Sequence, residues 1–318
     1  MINVITELSK YVILTLMIVY TFHCFYMVWR QDEEEKKELL QQQLTMIFFI
    51  DFTAFLVIYL KSMDFKVILF YIEMMIFFAA IQILYRIIYK EASLLLLNNM
   101  CMLLSIGFLI LSRLSFGKAV KQFEIVVIGM VLSFIVPVIV RKVKILKDLT
   151  WLYGIVGLAL LMVVLAMAAI SGGAKLSIEI GGVTFQFSEL VKITFVFFVA
   201  GMLREDTSFK RVVVTTIVAA AHVLILVVSK DLGSAVVFFV AYIVMLYVAT
   251  RQPLYALAGV GAGCLAAVIG YHLFSHIAVR VAAWKDPFAA YSSGGYQVAQ
   301  SLFAIGTGSW FGMGLFQG

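Results

Sequence analysis

Long apolar runs separated by short polar stretches make up most of the chain. A membrane-spanning helix needs about 20 predominantly apolar residues. About ten runs reach or approach that length, at residues 11–29, 45–60, 67–89, 93–111, 123–140, 151–170, 190–203, 212–228, 235–250 and 254–274. The pattern predicts an all-α, polytopic bundle of about ten transmembrane helices joined by polar loops. The charged run between the first two spans, residues 30–43, is typical of a solvated helical linker with Glu and Lys spaced for i,i+4 pairs.

Composition supports the same class of protein. The chain is 64% hydrophobic and 13% charged, with a mean hydropathy of +1.06, whereas a soluble domain carries about 25% charged residues. The net charge of +6 indicates loops that face anionic lipid headgroups rather than a nucleic-acid partner. The three cysteines fall in apolar runs without metal-ligand spacing and favour small core residues.

The distribution of cations predicts the orientation in the membrane. Cytoplasmic loops of membrane proteins carry an excess of Lys and Arg. The strongest such loop holds Arg141, Lys142, Lys144 and Lys147. Placing that loop inside and alternating the spans puts the N-terminus outside, together with three polar segments: the hairpin at residues 171–189, the turn at 229–234 and the stretch from Val279 to the end.

Two carboxylates, Asp51 and Glu73, lie inside the second and third predicted spans. An ionisable residue within a membrane span is a functional hypothesis by default. Both residues lie within two turns of a span end, which favours a hydrated structural role. The sequence is compatible with both interpretations.

The first two external segments combine turn residues with charges. Val-Thr-Phe-Gln at 183–186 predicts a small β-hairpin, and Ser188 is a candidate N-cap of the next helix. Lys192 lies one turn into the membrane, where Glu189 is its nearest candidate partner. In the second segment, Lys230 and Asp231 sit between two spans, where snorkelling at a span end is the simplest reading.

The third external segment gathers Arg280, Trp284, Asp286 and a glycine-rich tail after an almost wholly apolar region. Irregular backbone of this kind cannot face lipid, because each unpaired backbone group there costs several kcal/mol. The segment therefore predicts a loop outside the bilayer or a cap over a water-filled site. His272 and His276, four residues apart just before it, favour an interfacial role over a metal site.

In these three segments the chain resembles the SEDS family (FtsW, RodA and SpoVE), the polytopic peptidoglycan glycosyltransferases of bacterial growth, division and sporulation. The family's hairpin reads G-A-x-R-W-I into Q-P-S-E-x-x-K, its turn reads P/K-D-L-G-T/S-A, and its last segment reads R-x-x-x-W/F-x-D-P and then G-Y-Q-x-x-Q-S-L-x-A-I-G-x-G-x-x-G-x-G. The matching residues are Gly173, Ala174, Ile178, Gln186, Ser188, Glu189, Lys192, Lys230, Asp231, Leu232, Gly233, Ser234, Ala235, Arg280, Trp284, Asp286, Pro287, Gly295, Tyr296, Gln297, Gln300, Ser301, Leu302, Ala304, Ile305, Gly306, Gly308, Gly312 and Gly314.

The chain also departs from the family pattern. Leu176-Ser177 replaces the Arg-Trp pair, and Phe187 replaces the Pro of Q-P-S-E. Many members carry a second acid just before Gly-Tyr-Gln, and that position is Ala290 here. Residues 1–90 have no counterpart in the ten-span family core, so they are interpreted as an extra three-span segment. Residues 91–318 correspond to the core, which is expected to continue past Gly318 with about three more spans.

The resemblance implies polymerisation of lipid II on the external face of the bacterial plasma membrane. Asp286 is then the candidate catalytic carboxylate, since no other Asp or Glu lies between Asp231 and Gly318. Also implied are undecaprenyl-linked glycan, a class B penicillin-binding protein as partner, and room for a divalent cation (Mg²⁺ or Mn²⁺). The candidate substrate-binding residues are Lys175, Gln186, Ser188, Glu189, Lys192, Lys230, Asp231, Arg280, Trp284, Tyr296 and Gln297.

Two other functions on the same fold stay open. A lipid II flippase would need a polar path through the bundle, which Lys192 and Asp231 are placed to line. A non-catalytic scaffold for a transpeptidase is favoured by the lost Arg-Trp pair and by Ala290. The sequence leaves open whether the role belongs to division, elongation or sporulation.

Overall fold

The computed structural model describes residues 2–170, 177–180, 183–204 and 206–316, with the backbone alone for 168–170, 177–180 and 183–184. Helices make up most of this described chain. In order they are α1 (Ile2–Trp29), α2 (Glu33–Ser62), α3 (Lys66–Ile88), α4 (Leu94–Leu114), α5 (Phe116–Lys142), α6 (Thr150–Ile170), α7 (Phe187–Leu203), α8 (Phe209–Val228), α9 (Leu232–Thr250), α10 (Pro253–Leu273), α11 (Ser275–Lys285) and α12 (Tyr296–Gly308). Short 3-10 helices cover Lys144–Lys147 and Tyr291–Ser293.

Nine of the described helices, α1–α6 and α8–α10, are long and apolar enough to cross a membrane. Helix α7 has 17 residues, or about 26 Å at 1.5 Å per residue, slightly less than the roughly 30 Å hydrocarbon core. The ten predicted spans therefore correspond to α1–α10. The predicted polytopic, all-α fold is confirmed, and the protein is a multi-pass membrane protein.

Two predicted local features are also present. Strands β1 (Ser177–Ile180) and β2 (Val183–Gln186) form the predicted antiparallel hairpin, with Ser177 opposite Gln186. The charged linker is helical and continues directly into the second span as one helix, α2. Asp32 caps that helix by accepting from the Glu34 N–H at 3.0 Å, and Lys36 pairs with Glu33 at i,i+3 rather than at the predicted i,i+4 spacing.

Contacts divide the chain into two compact units. Unit 1 comprises Met1–Ile135 and Gln297–Gly318, and unit 2 comprises Val136–Tyr296. Each unit has its own hydrophobic core.

Side-chain amides run through the core of unit 1. The Asn98 amide on α4 donates to Gln43 Oε1 on α2 at 3.0 Å and to the Leu40 carbonyl at 3.1 Å. Gln82 on α3 donates to Asn98 Oδ1 at 2.9 Å. Asn98 is 1% exposed, and one buried side chain therefore ties three helices together.

Asp51 corrects the expectation of a hydrated carboxylate near a span end. The residue is completely buried on α2, and its Oδ1 accepts a hydrogen bond from the Ser105 hydroxyl on α4. Its Oδ2 has no partner among the described residues. Glu73 is exposed. The hydrophobic pattern did not distinguish the two positions, because burial depends on which face of the helix meets α4.

The core of unit 2 is aromatic. Phe195 on α7 and Phe238 on α9 have ring centroids 4.8 Å apart, and Phe198 lies beside them on α7. His222 on α8 is fully buried among these three rings. Rings from α7 and α9 thus enclose the His222 side chain of α8.

Two glycines on α10 form a close packing face. A side chain at Gly259 would meet Ile243 Cδ1, and one at Gly263 would meet the Phe239 ring. Both partners lie on α9, so the two glycines let α10 approach α9 closely, as small residues do in membrane bundles.

Candidate functional site

Asp231 joins two of the three segments that the sequence predicts to be external. It is the N-cap of α9, and its Oδ1 accepts from the Ser234 N–H at 3.1 Å. Its Oδ2 accepts from the Ser188 hydroxyl and from Gln186 Nε2, each at 3.3 Å. Asp231 is 9% exposed and Ser188 is 1% exposed. Asp231 is therefore a buried, bonded side chain and not a snorkelling one.

Ser188 does not cap α7 as predicted. The helix begins at Phe187, and its N-cap is Gln186, which makes no side-chain cap bond. Ser188 thus lies inside the first turn, and its hydroxyl turns to Asp231. Gln186 Nε2 also lies 2.8 Å from the Ser188 oxygen. The end of β2, the start of α7 and the start of α9 consequently meet in one polar junction, defined here as Gln186, Ser188 and Asp231.

Cations lie beside this junction. Lys192 pairs with Glu189 at 2.7 Å, as predicted for residues three apart in the first turns of α7. Both side chains keep substantial exposure, 33% for Lys192 and 60% for Glu189, so the pair remains accessible to an anionic ligand. Lys230 is exposed and has a positive φ of 65°. Lys175 lies outside the described residues.

The third segment begins with α11. Arg280 and Trp284 are four residues apart on this helix, which places them on one face, and both are exposed. Asp286 follows the helix and is exposed. Its Oδ1 accepts from the Phe288 N–H at 3.1 Å and from the Ala289 N–H at 2.9 Å. Its Oδ2 has no partner among the residues described.

The backbone after Asp286 forms a tight, closed loop. The Ala290 N–H donates to the Asp286 carbonyl at 3.2 Å, and the Ala290 carbonyl accepts from the Gly295 N–H at 2.8 Å. A side chain at Gly295 would collide with the Pro287 and Ala290 carbonyls, so this position requires glycine. Ala290 is 8% exposed. Ala290, which stands where many family members carry a second acid, is therefore packed inside the loop.

Two exposed residues flank this loop on its C-terminal side. Tyr296 is 54% exposed, and its ring meets the Tyr291 ring edge-on with centroids 5.2 Å apart. Gln297 is exposed and begins the part of the chain that belongs to unit 1. Asp231 and Asp286 share no hydrogen-bond donor among the described residues.

No sequence motif points to His222, although it is fully buried within the aromatic core. Its Nδ1 lies 2.8 Å from the Val218 carbonyl, so Nδ1 carries the proton. Its Nε2 has no partner among the described residues. A histidine inside the apolar run of α8 is the signal that identifies it, since ionisable residues within a span are rare.

A divalent cation finds no ready-made site in the described part of the chain. No three His, Cys, Asp or Glu side chains cluster there. Asp231 already has three donors on its two oxygens, and Asp286 stands alone in its loop. Mg²⁺ is seldom held by an all-protein cage and is usually bound through one or two carboxylates together with substrate phosphates, so Asp286 would fit such an ion only beside a bound diphosphate.

Residues 91–318 match the FtsW, RodA and SpoVE family of cell cycle proteins. That match covers more than half of the chain, and the protein therefore belongs to this family. No solved structure matches the chain. The match begins at residue 91, and the proposed division of the chain near residue 90 stays a prediction.

Curated relatives carry the names RodA and FtsW. The peptidoglycan glycosyltransferase RodA of Mycobacterium leprae (strain TN) is 29% identical over 217 residues, which are 63% of this chain and 46% of that protein. The RodA of Mycobacterium tuberculosis (strain ATCC 25618 / H37Rv) is 33% identical over 187 residues, 53% of this chain and 40% of that protein. A probable peptidoglycan glycosyltransferase FtsW of Pseudoalteromonas translucida (strain TAC 125) is 30% identical over 238 residues, 69% and 59% respectively. The chain thus spans about half the length of the curated relatives it matches.

Proposed function

We propose that the protein is a peptidoglycan glycosyltransferase that polymerises lipid II on the external face of the bacterial plasma membrane. The observation that carries the proposal is the Gln186–Ser188–Asp231 junction. It brings residues 43 and 45 positions apart in sequence together at one end of unit 2, in a chain whose curated relatives are named peptidoglycan glycosyltransferases. The polar ends of α7 and α9 then form one wall of the proposed site.

In the proposed reaction, the 4-hydroxyl of the incoming lipid II disaccharide attacks the anomeric carbon of the growing glycan. The bond from that carbon to undecaprenyl diphosphate breaks, and the diphosphate leaves with the bonding electron pair. Asp286 is the proposed base, with Oδ2 accepting the hydroxyl proton while Oδ1 stays bonded to Phe288 and Ala289. A general base of this kind contributes about 10²- to 10⁴-fold in rate.

Cations stabilise the charge that develops on the leaving diphosphate. We assign this role to Lys192, Lys230 and Arg280, with Lys175 as a further candidate. Glu189 orients Lys192 through its ion pair. Mg²⁺ or Mn²⁺, in this proposal, arrives bound to the diphosphate and not in a preformed site, and no step is assigned to it.

Exposed side chains with both apolar and polar parts are suited to bind the sugars. Trp284 is 76% exposed and Tyr296 is 54% exposed, so both rings are accessible to a sugar. Gln186 supplies an amide group that donates and accepts hydrogen bonds, and a role for Gln297 in unit 1 stays a prediction of the family resemblance. The resemblance also leads us to propose a class B penicillin-binding protein as the partner that crosslinks the product.

A scaffold without catalytic activity is the second candidate function. Two observations favour it: Ala290 is buried where a second acid is common in the family, and the Asp286 carboxylate caps its own turn. Asp-Pro sequences commonly initiate turns in this way. Asp286 would then be structural, and the chain would position its partner.

Incubation of the purified full-length chain with lipid II in vesicles separates the candidates. Formation of glycan polymer identifies an enzyme, and translocation of lipid II without polymer identifies a flippase. If neither activity is detected, the scaffold is the remaining candidate. Asp286→Asn should lower the polymerisation rate at least about 100-fold. An unchanged rate would eliminate Asp286 as the base.

Asp206→Asn is the matched control for that variant. Asp206 is also an exposed Asp that accepts from the N–H two residues later, Ser208, at 2.8 Å. Its loop lies on the side that the positive-inside rule makes cytoplasmic. Loss of activity in both variants would indicate a general effect of weakening the turns that these Asp side chains cap. Loss of activity in Asp286→Asn alone indicates a role of Asp286 in the site.

The orientation of the chain is tested separately. We propose an external N-terminus, an external loop at Ser292 and a cytoplasmic loop at Lys144. In a variant without Cys24, Cys101 and Cys264, a cysteine at Ser292 should react with an impermeant reagent on intact cells. A cysteine at Lys144 should react only after permeabilisation. The reversed result would place the proposed site on the wrong side of the membrane.

A further inference from the structure

Unit 2 contains a groove at the end opposite the Asp231 junction. It has a volume of about 580 Å³, within the roughly 300–1,000 Å³ range of ligand pockets. The end of α5, the 3-10 helix after it, α7 and α9 supply its walls. Most of the lining is aliphatic or aromatic.

Lys147 and Arg204 are the charged residues of the lining, and no acidic side chain belongs to it. Both are exposed. The neighbouring acids Asp148 and Asp206 do not belong to the lining. The groove therefore combines an apolar floor with a positively charged mouth.

The apolar wall of the groove is open on its side. Val244 and Val248 on α9 line it and are 54% and 60% exposed. These residues belong to a helix that is long and apolar enough to cross a membrane. The open side of the groove consequently faces hydrocarbon, while Lys147 lies in the cation-rich loop that the positive-inside rule places at the cytoplasmic surface.

We propose that this groove binds one anionic phospholipid of the cytoplasmic leaflet. An acyl chain lies along the α7 and α9 walls, and the phosphate binds Lys147 and Arg204. Basic pockets between membrane helices on the cytoplasmic side bind anionic headgroups by this combination of charge and apolar contact. Arg141, Lys142 and Lys144 add positive charge beside the mouth. The proposal is independent of the glycosyltransferase activity.

The test measures lipid binding to the purified, delipidated full chain in detergent. Phosphatidylglycerol and phosphatidylethanolamine with identical acyl chains are titrated, and binding is read from native mass spectrometry and from the rise in melting temperature. Phosphatidylglycerol should bind about 25-fold more tightly, as expected for two cations near an anionic headgroup. Equal binding of the two lipids would overturn the proposal.

Two variants assign the preference to the groove. Lys147→Gln with Arg204→Gln should abolish the roughly 25-fold preference, whereas the control Lys210→Gln with Arg251→Gln removes two cations from the same predicted face outside the groove and should retain it. Ala200→Leu fills the groove and should weaken the binding of both lipids. The site would be refuted if the variant with Lys147→Gln and Arg204→Gln still preferred phosphatidylglycerol. It would also be refuted if the control variant lost the preference to the same extent.

Two further ligands separate the possible sources of the phosphate. Inorganic phosphate at the same concentration should not displace phosphatidylglycerol, because it lacks the chain that contacts α7 and α9. Undecaprenyl diphosphate should bind no more tightly than phosphatidylglycerol. If undecaprenyl diphosphate binds more tightly than phosphatidylglycerol, and the substitutions at Lys147 and Arg204 abolish that binding, the occupant is a polyprenyl lipid. That result would overturn the phospholipid assignment.

Discussion

In unit 1, helices α1–α4 share a connected set of side-chain hydrogen bonds, whereas in unit 2, helices α6–α9 meet through aromatic rings. Asn98 bonds to α2 and α3, and its neighbour Asn99 accepts from Tyr20 and Cys24 on α1. In unit 2, Phe195, Phe198 and Phe238 surround His222, which bonds only within its own helix.

The difference reflects two solutions to the same physical problem. Lipid tails are as apolar as Leu, so burial of apolar side chains does not by itself drive helices together in a membrane. Directional hydrogen bonds specify which residues of unit 1 face each other. Unit 2 relies mainly on the close fit of rings. Its polar contacts between helices include the Thr216–Tyr242 hydroxyl pair at 2.6 Å, which joins α8 to α9, and the Asp231 junction at the helix ends.

The largest expected effect is on the aromatic core. Phe238→Ala should lower the free energy of unfolding by about 3–5 kcal/mol, because it leaves a cavity beside Phe195 and His222. The control Phe209→Ala removes a ring that is 70% exposed and should change stability by less than about 0.5 kcal/mol. Equilibrium unfolding in mixed micelles measures both, and equal effects would show that ring packing does not hold unit 2.

The next effect is on the amide network. Asn98→Leu should cost about 2 kcal/mol, since it removes three hydrogen bonds at about 0.6 kcal/mol each on the membrane scale. Gln82→Leu should cost less in the Asn98→Leu background than alone, because the two residues share a bond. Leu103→Ala, a lipid-facing change on the same helix, is the control. Full additivity would mean that the network does not act as a unit.

A smaller effect is expected at the polar junction. Asp231→Ala should cost about 1.5 kcal/mol, because α9 loses its N-cap and two donors lose their acceptor. Asp231→Asn keeps one acceptor oxygen and should therefore cost much less stability than Asp231→Ala. Ser208→Ala is the matched control, since Ser208 is an N-cap without a side-chain cap bond. The folded yield of Asp231→Ala should fall together with its activity. Normal yield and normal activity would show that Asp231 does not stabilise the junction.

The smallest effect is on the exposed ion pair. Lys192→Met should change stability by about 0.5 kcal/mol or less, because exposed pairs gain little net energy. A double-mutant cycle with Glu189→Gln measures the coupling. If Lys192 contacts the diphosphate as proposed, polymerisation should fall far more than stability. If polymerisation and stability fall by similar amounts, the role of Lys192 is structural.

Several local features of the site were readable from short-range patterns. The hairpin depends on residues 177–186, and the Glu189–Lys192 pair depends on three-residue spacing along one helix. Both follow from backbone geometry within a dozen residues. The capping role predicted for Ser188 was wrong because a distant acceptor, Asp231, competes for its hydroxyl. The roles of Asp286 and of the substrate-binding residues stay predictions.

The sequence by itself determined the class of protein, the number and approximate bounds of the spans and the family, because apolar run length and ordered motifs are properties of consecutive residues. The tertiary structure alone decided that Asp51 is buried while Glu73 is exposed, that Asp231 accepts from Gln186 and Ser188, and that Lys147 and Arg204 share one groove. These facts depend on which helix faces meet. In a chain whose helices are apolar nearly all round, hydrophobic periodicity carries too little information to specify those faces.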